Sequence, residues 1–370
     1  MVWEPCYTGW QMQIQKLKLS NFRNQKTKLF NFSSNVTVIL GPNASGKTNI
    51  LEAIYFLSTG KSFRAKVEEE MINYNSDISR MKGRIKSDTE TVDLEVVLTR
   101  GTIDIGAERP EKVQRKKLLV NGISKRLIDF AGRFKIVFFG PEDLELVTET
   151  PTLRRRFLDS VLSQVDREYR RALLSYEKGL RQRNKLLFRI KEEGLSRSQL
   201  LFWDRLLIKN GDYISTKRAE FIEYANLYPS INEMVFRLEY DKSAISEARL
   251  EQYAEEEVAA TTTLVGPHRD DFIFKVISNG KKFDRDLSRF GSRGEQRMGI
   301  LWLKMVELSF IEAKTGEKPT LLLDDIFSEL DHKHRKIVMD VSKKQQTIIT
   351  TADKHFIEGF KKIEKIKLIS

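Results

Sequence analysis

The chain has 370 residues, room for about two domains with separate cores, and its 40% hydrophobic, 10% aromatic and 31% charged content is that of a globular protein. One cysteine, Cys6, excludes an internal disulfide and a thiolate metal cluster, and the four histidines come without cysteine partners for zinc. With 64 Lys and Arg against 52 Asp and Glu the net charge is +12, which favours a polyanionic partner.

No apolar run approaches the roughly 18 residues of a membrane span, and the N-terminus lacks a basic start followed by an apolar stretch, so a cytoplasmic location is expected. The opening MVWEPCYTGWQ fits no element. A strand-like MQIQKLKLSNFRN begins at Met12, so residues 1–11 read as an extension from an upstream start codon. VTVIL (36–40) is a buried strand, and it runs straight into GPNASGKTN (41–49) and a helical KTNILEAIYFL. The motif G-x-x-x-x-G-K-[ST] between strand and helix is a phosphate cradle, comprising Gly41, Pro42, Asn43, Ala44, Ser45, Gly46, Lys47, Thr48 and Asn49. Lys47 reaches the β and γ oxygens of a nucleotide, and the Thr48 hydroxyl binds Mg²⁺. VDLEVVL (92–98) is a further strand, and LLVNGISK (118–125) carries an Asn-Gly hairpin turn.

From Pro141 to about Glu257 the periodicity becomes helical. Phe157, Val161, Val165, Tyr169, Leu173, Tyr176 and Leu180 draw one apolar stripe down a long helix. Between Arg154 and Glu193 twelve Lys and Arg face six Asp and Glu, half of the whole chain's surplus. Arg154, Arg155, Arg156, Arg170, Arg171 and Arg181 are therefore candidates for phosphate contacts with DNA, and a solvated helical arm accounts for the charge nearly as well. No base-reading motif is present, so binding is expected to be low in sequence specificity.

A second helical stretch, SQLLFWDRLLIKNGDYISTKRAEFIEYANLY, follows Gly194. In TLVGPHRDD, His268 and Arg269 suit a turn better than a nucleotide contact. FKVISNGKKF (274–283) reads as a hairpin, RFGSRGEQR (289–297) opens a helix, and TLLLDD and QTIITTAD are strands. Asp324 ends an apolar strand, which puts a carboxylate beside the P-loop for Mg²⁺. Asp325 is then the group that orients or deprotonates the attacking water, with turn capping as its plainer role. The layout is α/β, with residues 12–140 and 258–370 forming one discontinuous domain and 141–257 a helical domain inserted between its halves.

RFGSRGEQR resembles the signature motif of ABC-type ATPases, usually written LSGGQ, on Ser292, Arg293, Gly294, Glu295 and Gln296. The same residues also read as a plain capping box, Ser292 with Glu295. P-loop, signature and acidic strand in that order carry the superfamily resemblance. It implies an ABC-type P-loop ATPase head, two of which meet head to tail so that each signature closes on the partner's nucleotide. SELD (328–331) resembles the loop by which such heads touch, on Ser328 and Asp331. Most ATPases of this layout have a Glu where Asp325 stands, and the shorter side chain suggests slow turnover. Transporter ATPases usually carry a histidine at the end of the strand after the acidic one, and here that strand is QTIITTAD, with Thr350 and Thr351 and no histidine. The coiled-coil relatives insert hundreds of residues, whereas a helix of about 40 spans only ~60 Å.

The blocks KLKLSNFRN, GPNASGKTN, LEAIYFLSTGKSFR, FFGPEDLELV, RRRFLD, YEKGLRQRN, TLVGPHRDDF, FGSRGEQR and LLLDDIFSELD resemble those of the RecF family, in the same order, from about Met12 onward. The resemblance implies an ATP-dependent homodimer with ATP and Mg²⁺ as cofactors. It also implies binding to double-stranded DNA near single-strand gaps, where RecR and RecO are helped to load RecA. A nuclease-coupled ATPase is one rival reading, for whose additional acidic metal cluster no segment has room, and a transporter ATPase, which would need the missing histidine and a membrane partner, is another.

Overall fold

The computed structural model describes residues 10–103, 111–277, 284–328, 330–357, 360 and 363–368. Contacts divide the chain into two units, Met1–Asp143 with Glu307–Ser370, and Leu144–Val306.

The first unit is built on two sheets. Strands Gln13–Phe22 and Ile78–Lys86 alternate buried and exposed residues, which is the pattern of a sheet with one wet face. They lie in a six-stranded antiparallel sheet ordered Ile123–Lys125, Lys116–Val120, Thr91–Thr99, Ile78–Lys86, Gln13–Phe22, Gln25–Asn31. A register shift between Ile14 and Lys16 changes the phase of the first strand, so that Ile14 and Leu17, three apart, are both buried. Asn121 and Gly122, at φ of 50° and 78°, make the expected hairpin turn, whose two positive φ values match the strand twist.

The second sheet is parallel, in the order Ile136–Phe139, Thr320–Asp324, Thr347–Thr351, Val36–Leu40, Ile363–Lys367. Its three central strands are buried at every residue, which is why they read as unbroken apolar or threonine runs. The helix Lys47–Thr59 touches strands of both sheets and is buried on nearly all sides. Even Glu52 is fully buried there, and Arg23 neutralises it with bonds of 3.0 and 2.7 Å.

One side chain joins the two sheets. Gln346 Oε1 accepts from the Ile14 backbone N–H at 2.8 Å and from the Thr320 hydroxyl at 3.1 Å, while its Nε2 donates to the carbonyls of Ile14 at 2.8 Å and Ser33 at 2.7 Å. Ile14 lies beside the register shift of strand Gln13–Phe22, and Gln346 satisfies both of its buried backbone groups.

The second unit is mainly helical. Its apolar stripe is on two helices rather than one, Pro151–Val165 and Arg167–Glu193. Asp166 ends the first and caps the second by accepting from the N–H groups of Glu168 at 2.8 Å and Tyr169 at 3.0 Å. Helix Arg167–Glu193 stops at Gly194, which takes a left-handed φ of 67°, and packs against Leu201–Asn226.

Two elements depart from the expected arrangement. A strand, Val235–Asp241, lies within the stretch whose pattern is helical, and it pairs along its whole length with Asp271–Ile277. The latter also pairs with Arg285–Asp286, and residues 278–283 of the expected hairpin lie outside the described residues. Contacts therefore group residues 258–306 with the helices, whereas the sequence pattern joins them to the α/β domain. A buried ionic cluster adds to that pairing. Arg218, 2% exposed, binds Asp270 at 3.0 Å, Asp159 at 2.8 Å and the Pro267 carbonyl at 2.6 Å, so the TLVGPHRDD segment is tied to two helices. Trp10–Gln11 forms a short parallel pairing with Glu317–Lys318, although no element is expected there, and residues 1–9, with Cys6, lie outside the described residues.

Replacing Gln346 by Leu keeps the volume but strands two buried backbone groups of Ile14. It is expected to cost about 3 kcal/mol or more. The check is urea unfolding followed by circular dichroism, with a clear fall in midpoint against the parent.

Candidate nucleotide site and basic arm

The cradle follows from backbone geometry. Strand Val36–Leu40 ends at Gly41, and the loop returns into helix Lys47–Thr59 through Ala44 at φ 64° and Gly46 at φ 93°. A Cβ on Gly46 would be strained by that φ and would lie 2.6 Å from Asn24 Oδ1, so glycine is required. Gly46 occupies the N-cap and supplies no side chain, which leaves the first helical N–H groups free of a side-chain cap. The Lys47 ammonium lies over the loop and donates to the carbonyls of Gly41 at 2.8 Å and Pro42 at 2.9 Å. The Ser45 hydroxyl is buried in the same loop with no hydrogen-bond partner among the described residues.

Register brings the acid to this cradle. Thr351 pairs with Leu40, and Asp324 pairs with Thr350, so Asp324 sits two strands from the P-loop strand, about 10 Å across the sheet. The side chains close that gap. Thr48 Oγ1 donates to Asp324 Oδ1 at 3.1 Å, and Thr350 Oγ1 donates to the same oxygen at 2.6 Å. Asp324 is 7% exposed. A hydroxyl and a carboxylate side by side are the hard oxygen donors that Mg²⁺ takes. The pair, with the orphan Ser45 hydroxyl nearby in the loop, fits a phosphate-bound divalent ion.

Asp325 follows in a left-handed conformation, φ 51°, with its N–H donating to the Thr350 carbonyl at 3.2 Å. Its own carbonyl accepts from the Ser328 hydroxyl at 2.7 Å, closing the turn Ile326–Ser328. Asp331 caps helix His332–Ser342 by accepting from the His334 N–H at 3.0 Å. That hydrogen bond, with the adjacent His334 ring, holds the exposed Asp331 carboxyl below its usual range. Glu329, between them, lies outside the described residues.

In the second unit, the signature segment opens helix Arg293–Thr315 as a capping box. Glu295 N–H donates to Ser292 Oγ at 3.2 Å, and Ser292 N–H donates to Glu295 Oε2 at 2.8 Å. The second bond, with Arg285 at 2.8 Å, lowers the Glu295 pKa. Gln296 donates to the Leu287 carbonyl at 3.3 Å. Ser292, Arg293 and Gly294 remain exposed.

The six arginines of the arm separate into two groups. Arg154 is buried and commits its guanidinium to Asp271 at 2.6 and 2.9 Å and to two carbonyls, which removes it from the DNA-facing set. Arg155 is half-buried against the Asp270 carbonyl at 2.9 Å, and burial lowers its pKa. Arg170 donates to the Ser163 carbonyl. Arg171 is exposed and paired with Glu168. Arg156 and Arg181 are exposed and bond to none of the described residues. His268 is held between the Tyr176 hydroxyl at 2.8 Å and the Thr263 carbonyl at 3.0 Å, and burial pushes its pKa down to about 4. It is therefore neutral near pH 7, and Arg269 likewise donates to the Thr263 carbonyl at 3.2 Å, as turn residues do.

Sequence reasoning passes over Gln346, Arg218 and the hydroxyl of Thr350. The only signal for the last is its place one strand from Asp324.

Residues 13–369 match the family described as RecF/RecN/SMC N terminal domain. The DNA replication and repair proteins RecF of Natranaerobius thermophilus and Herpetosiphon aurantiacus are each 36% identical, covering 94% and 92% of this chain and 93% and 94% of theirs. A solved structure described as "the recombination mediator protein RecF-ATP in RecFOR pathway" superposes with a TM-score of 0.83 at 32% identity, over 98% of this chain and 97% of that one. An Smc head domain from Pyrococcus furiosus, at 18% identity and a TM-score of 0.52, covers 97% of this chain and 94% of its own, a likeness of fold alone. No helix among the described residues is long and apolar enough to cross a membrane. With the α/β ABC-type head fold borne out and relatives alike over nearly their whole length, the chain belongs to the RecF family of DNA replication and repair proteins.

Proposed function

We propose that the chain is an ATP-switched, DNA-binding recombination mediator with weak ATPase activity. The observation that carries the reading is the meeting of Thr48 and Asp324 at the P-loop, 3.1 Å apart. The RecF-ATP relative supports ATP as the nucleotide. Its phosphates would lie against the open N–H groups of helix Lys47–Thr59, with the Lys47 ammonium turned from the Gly41 and Pro42 carbonyls to the phosphate oxygens. Thr48 and Asp324 are the residues that would hold Mg²⁺, which when bound neutralises charge on the phosphates. Asp325 orients the attacking water, and its short side chain keeps turnover slow.

The P-loop and acidic strand belong to the first unit and the signature to the second. ATP brings two chains together, so that Ser292 to Gln296 close on the partner's nucleotide and Ser328 and Asp331 line the contact. The dimer grips double-stranded DNA at single-strand gaps and, with RecR and RecO, assists loading of RecA. The pathway named for the relatives supports this choice of partners. On the arm, Arg156, Arg171 and Arg181 are the phosphate contacts that burial leaves open.

Lys47→Ala is expected to abolish ATP binding with the fold intact, and Asp325→Asn to bind ATP and dimerise while hydrolysing little. Nucleotide titration, sedimentation and phosphate release check the pair. An Asp325→Asn chain with parental turnover would return that residue to its turn.

Ser292→Arg is expected to bind ATP as a monomer but not to dimerise. Mixing it with Lys47→Ala chains should recover part of the dimer in sedimentation with ATP, because one of the two composite sites is then intact. If Ser292 served only its helix, the substitution would lower the melting temperature and leave dimerisation unchanged.

Replacing Arg156, Arg171 and Arg181 together is expected to reduce the slope of log K against log salt by about 0.9 for every phosphate that the variant no longer neutralises. Binding of a gapped duplex at several salt concentrations measures it, and an unchanged slope would leave the arm as solvated structure.

A further inference from the structure

We infer that Thr350 is a positioning residue of the nucleotide site, its buried hydroxyl holding the Asp324 carboxylate in the orientation that leaves one oxygen for a divalent cation. The inference rests on the reading of Asp324 as a cation ligand.

The hydroxyl has one proton to give. Its distances are 2.6 Å to Asp324 Oδ1 and 3.4 Å to the Leu323 carbonyl, so the proton goes to the carboxylate, in the short range of a charge-assisted bond. The oxygen then shares the Asp325 N–H with the Thr350 carbonyl, each at 3.2 Å. A single hydroxyl thus braces both consecutive acids. Thr48 donates to the same Oδ1 at 3.1 Å, and Oδ2 accepts no hydrogen bond from the described residues. Rotation of the carboxylate would break two bonds to Oδ1, so Oδ2 is the oxygen left for a ligand.

The strand itself does not need this hydroxyl. Thr350 is fully buried in a central parallel strand, where Val or Ile packs as well and the backbone groups are paired by the ladder. The neighbouring threonines use theirs locally. Thr347 donates to the Ser342 carbonyl at 3.0 Å and Thr351 to the Asp353 carbonyl at 3.3 Å, closing the turns at either end of the strand. Thr350 alone of the three reaches across the sheet to an acid 26 residues away in the chain. It also differs from Thr48 in how far its bond is committed. Thr48 is shared between Asp324 and the cation it is proposed to hold, whereas Thr350 lies one strand away from the P-loop strand and is not among the residues proposed to hold the cation.

Loss of a hydrogen-bonding partner behind a metal ligand weakens metal binding by about 10- to 100-fold. The test uses the full chain and a fluorescent ATP analogue, with anisotropy measured across a series of Mg²⁺ concentrations. Thr350→Val, which keeps the shape, is expected to bind the analogue without Mg²⁺ as the parent does and to need about tenfold more Mg²⁺ for the half-maximal response. Thr350→Ser should restore the parental midpoint. A merely structural role would instead lower the melting temperature and weaken metal-free binding as well. A parental Mg²⁺ midpoint in Thr350→Val, alongside an Asp324→Asn chain that has lost its Mg²⁺ response, overturns the inference and leaves the cation reading standing. An unchanged response in Asp324→Asn overturns that reading and the inference with it. Should Thr350→Val not fold, Thr350→Ala against Thr350→Ser decides by the same midpoint, and equal midpoints overturn the inference.

Discussion

The side-chain amide of Gln346 spans a seam between two sheets with opposite requirements. The antiparallel sheet keeps one face in water and alternates along its strands, whereas the parallel sheet is buried throughout its central strands. Strand Gln13–Phe22 carries a register shift beside Ile14, whose backbone N–H and C=O are buried there. Four hydrogen bonds from one glutamine satisfy them and fasten the neighbouring strands. Helix Lys47–Thr59 can then be buried between the sheets, with only its N-terminus turned to the loop. That burial also encloses the Glu52 carboxylate, which Arg23 neutralises from the end of the strand beside it.

The helical unit meets the same problem differently. Its interior is held by ion pairs as well as by apolar packing. Arg218 with Asp159 and Asp270, Arg154 with Asp271, and Arg183 with Asp204 at 2.6 Å each join segments separated in the chain. Buried charges of this kind add little net stability over apolar residues, but removing one partner is costly. The consequence for the arm is that a count of basic residues overstates the charge available to DNA. A guanidinium already paired with a buried carboxylate cannot also neutralise a phosphate.

Ser292 bears two readings that share one physical basis. A serine that caps a helix and a serine that meets a phosphate both rely on unpaired N–H groups at a helix start. The capping bonds are present in the single chain, and Ser292, Arg293 and Gly294 stay exposed. Capping therefore orders the segment without covering it.

By itself the sequence determined the features that depend on local chemistry. The P-loop was legible because a strand, a left-handed glycine and a helix start are encoded within a short run of residues, and the Asn-Gly turn and the acidic strand because each is a short segment with its own period. The tertiary structure decided whatever depends on partners distant in the chain. Gln346 acts on Ile14, 332 residues away, and Arg154 is withdrawn by Asp271, 117 residues away. The break at Asp166 escaped the apolar stripe because a capped junction keeps the stripe's spacing while ending one helix and starting the next. Strand Val235–Asp241 exists through its pairing with Asp271–Ile277, and a ladder between separated segments leaves no mark in either segment alone. Thr350 is the sharpest case, since a threonine in a buried strand is ordinary until register sets its hydroxyl against a carboxylate.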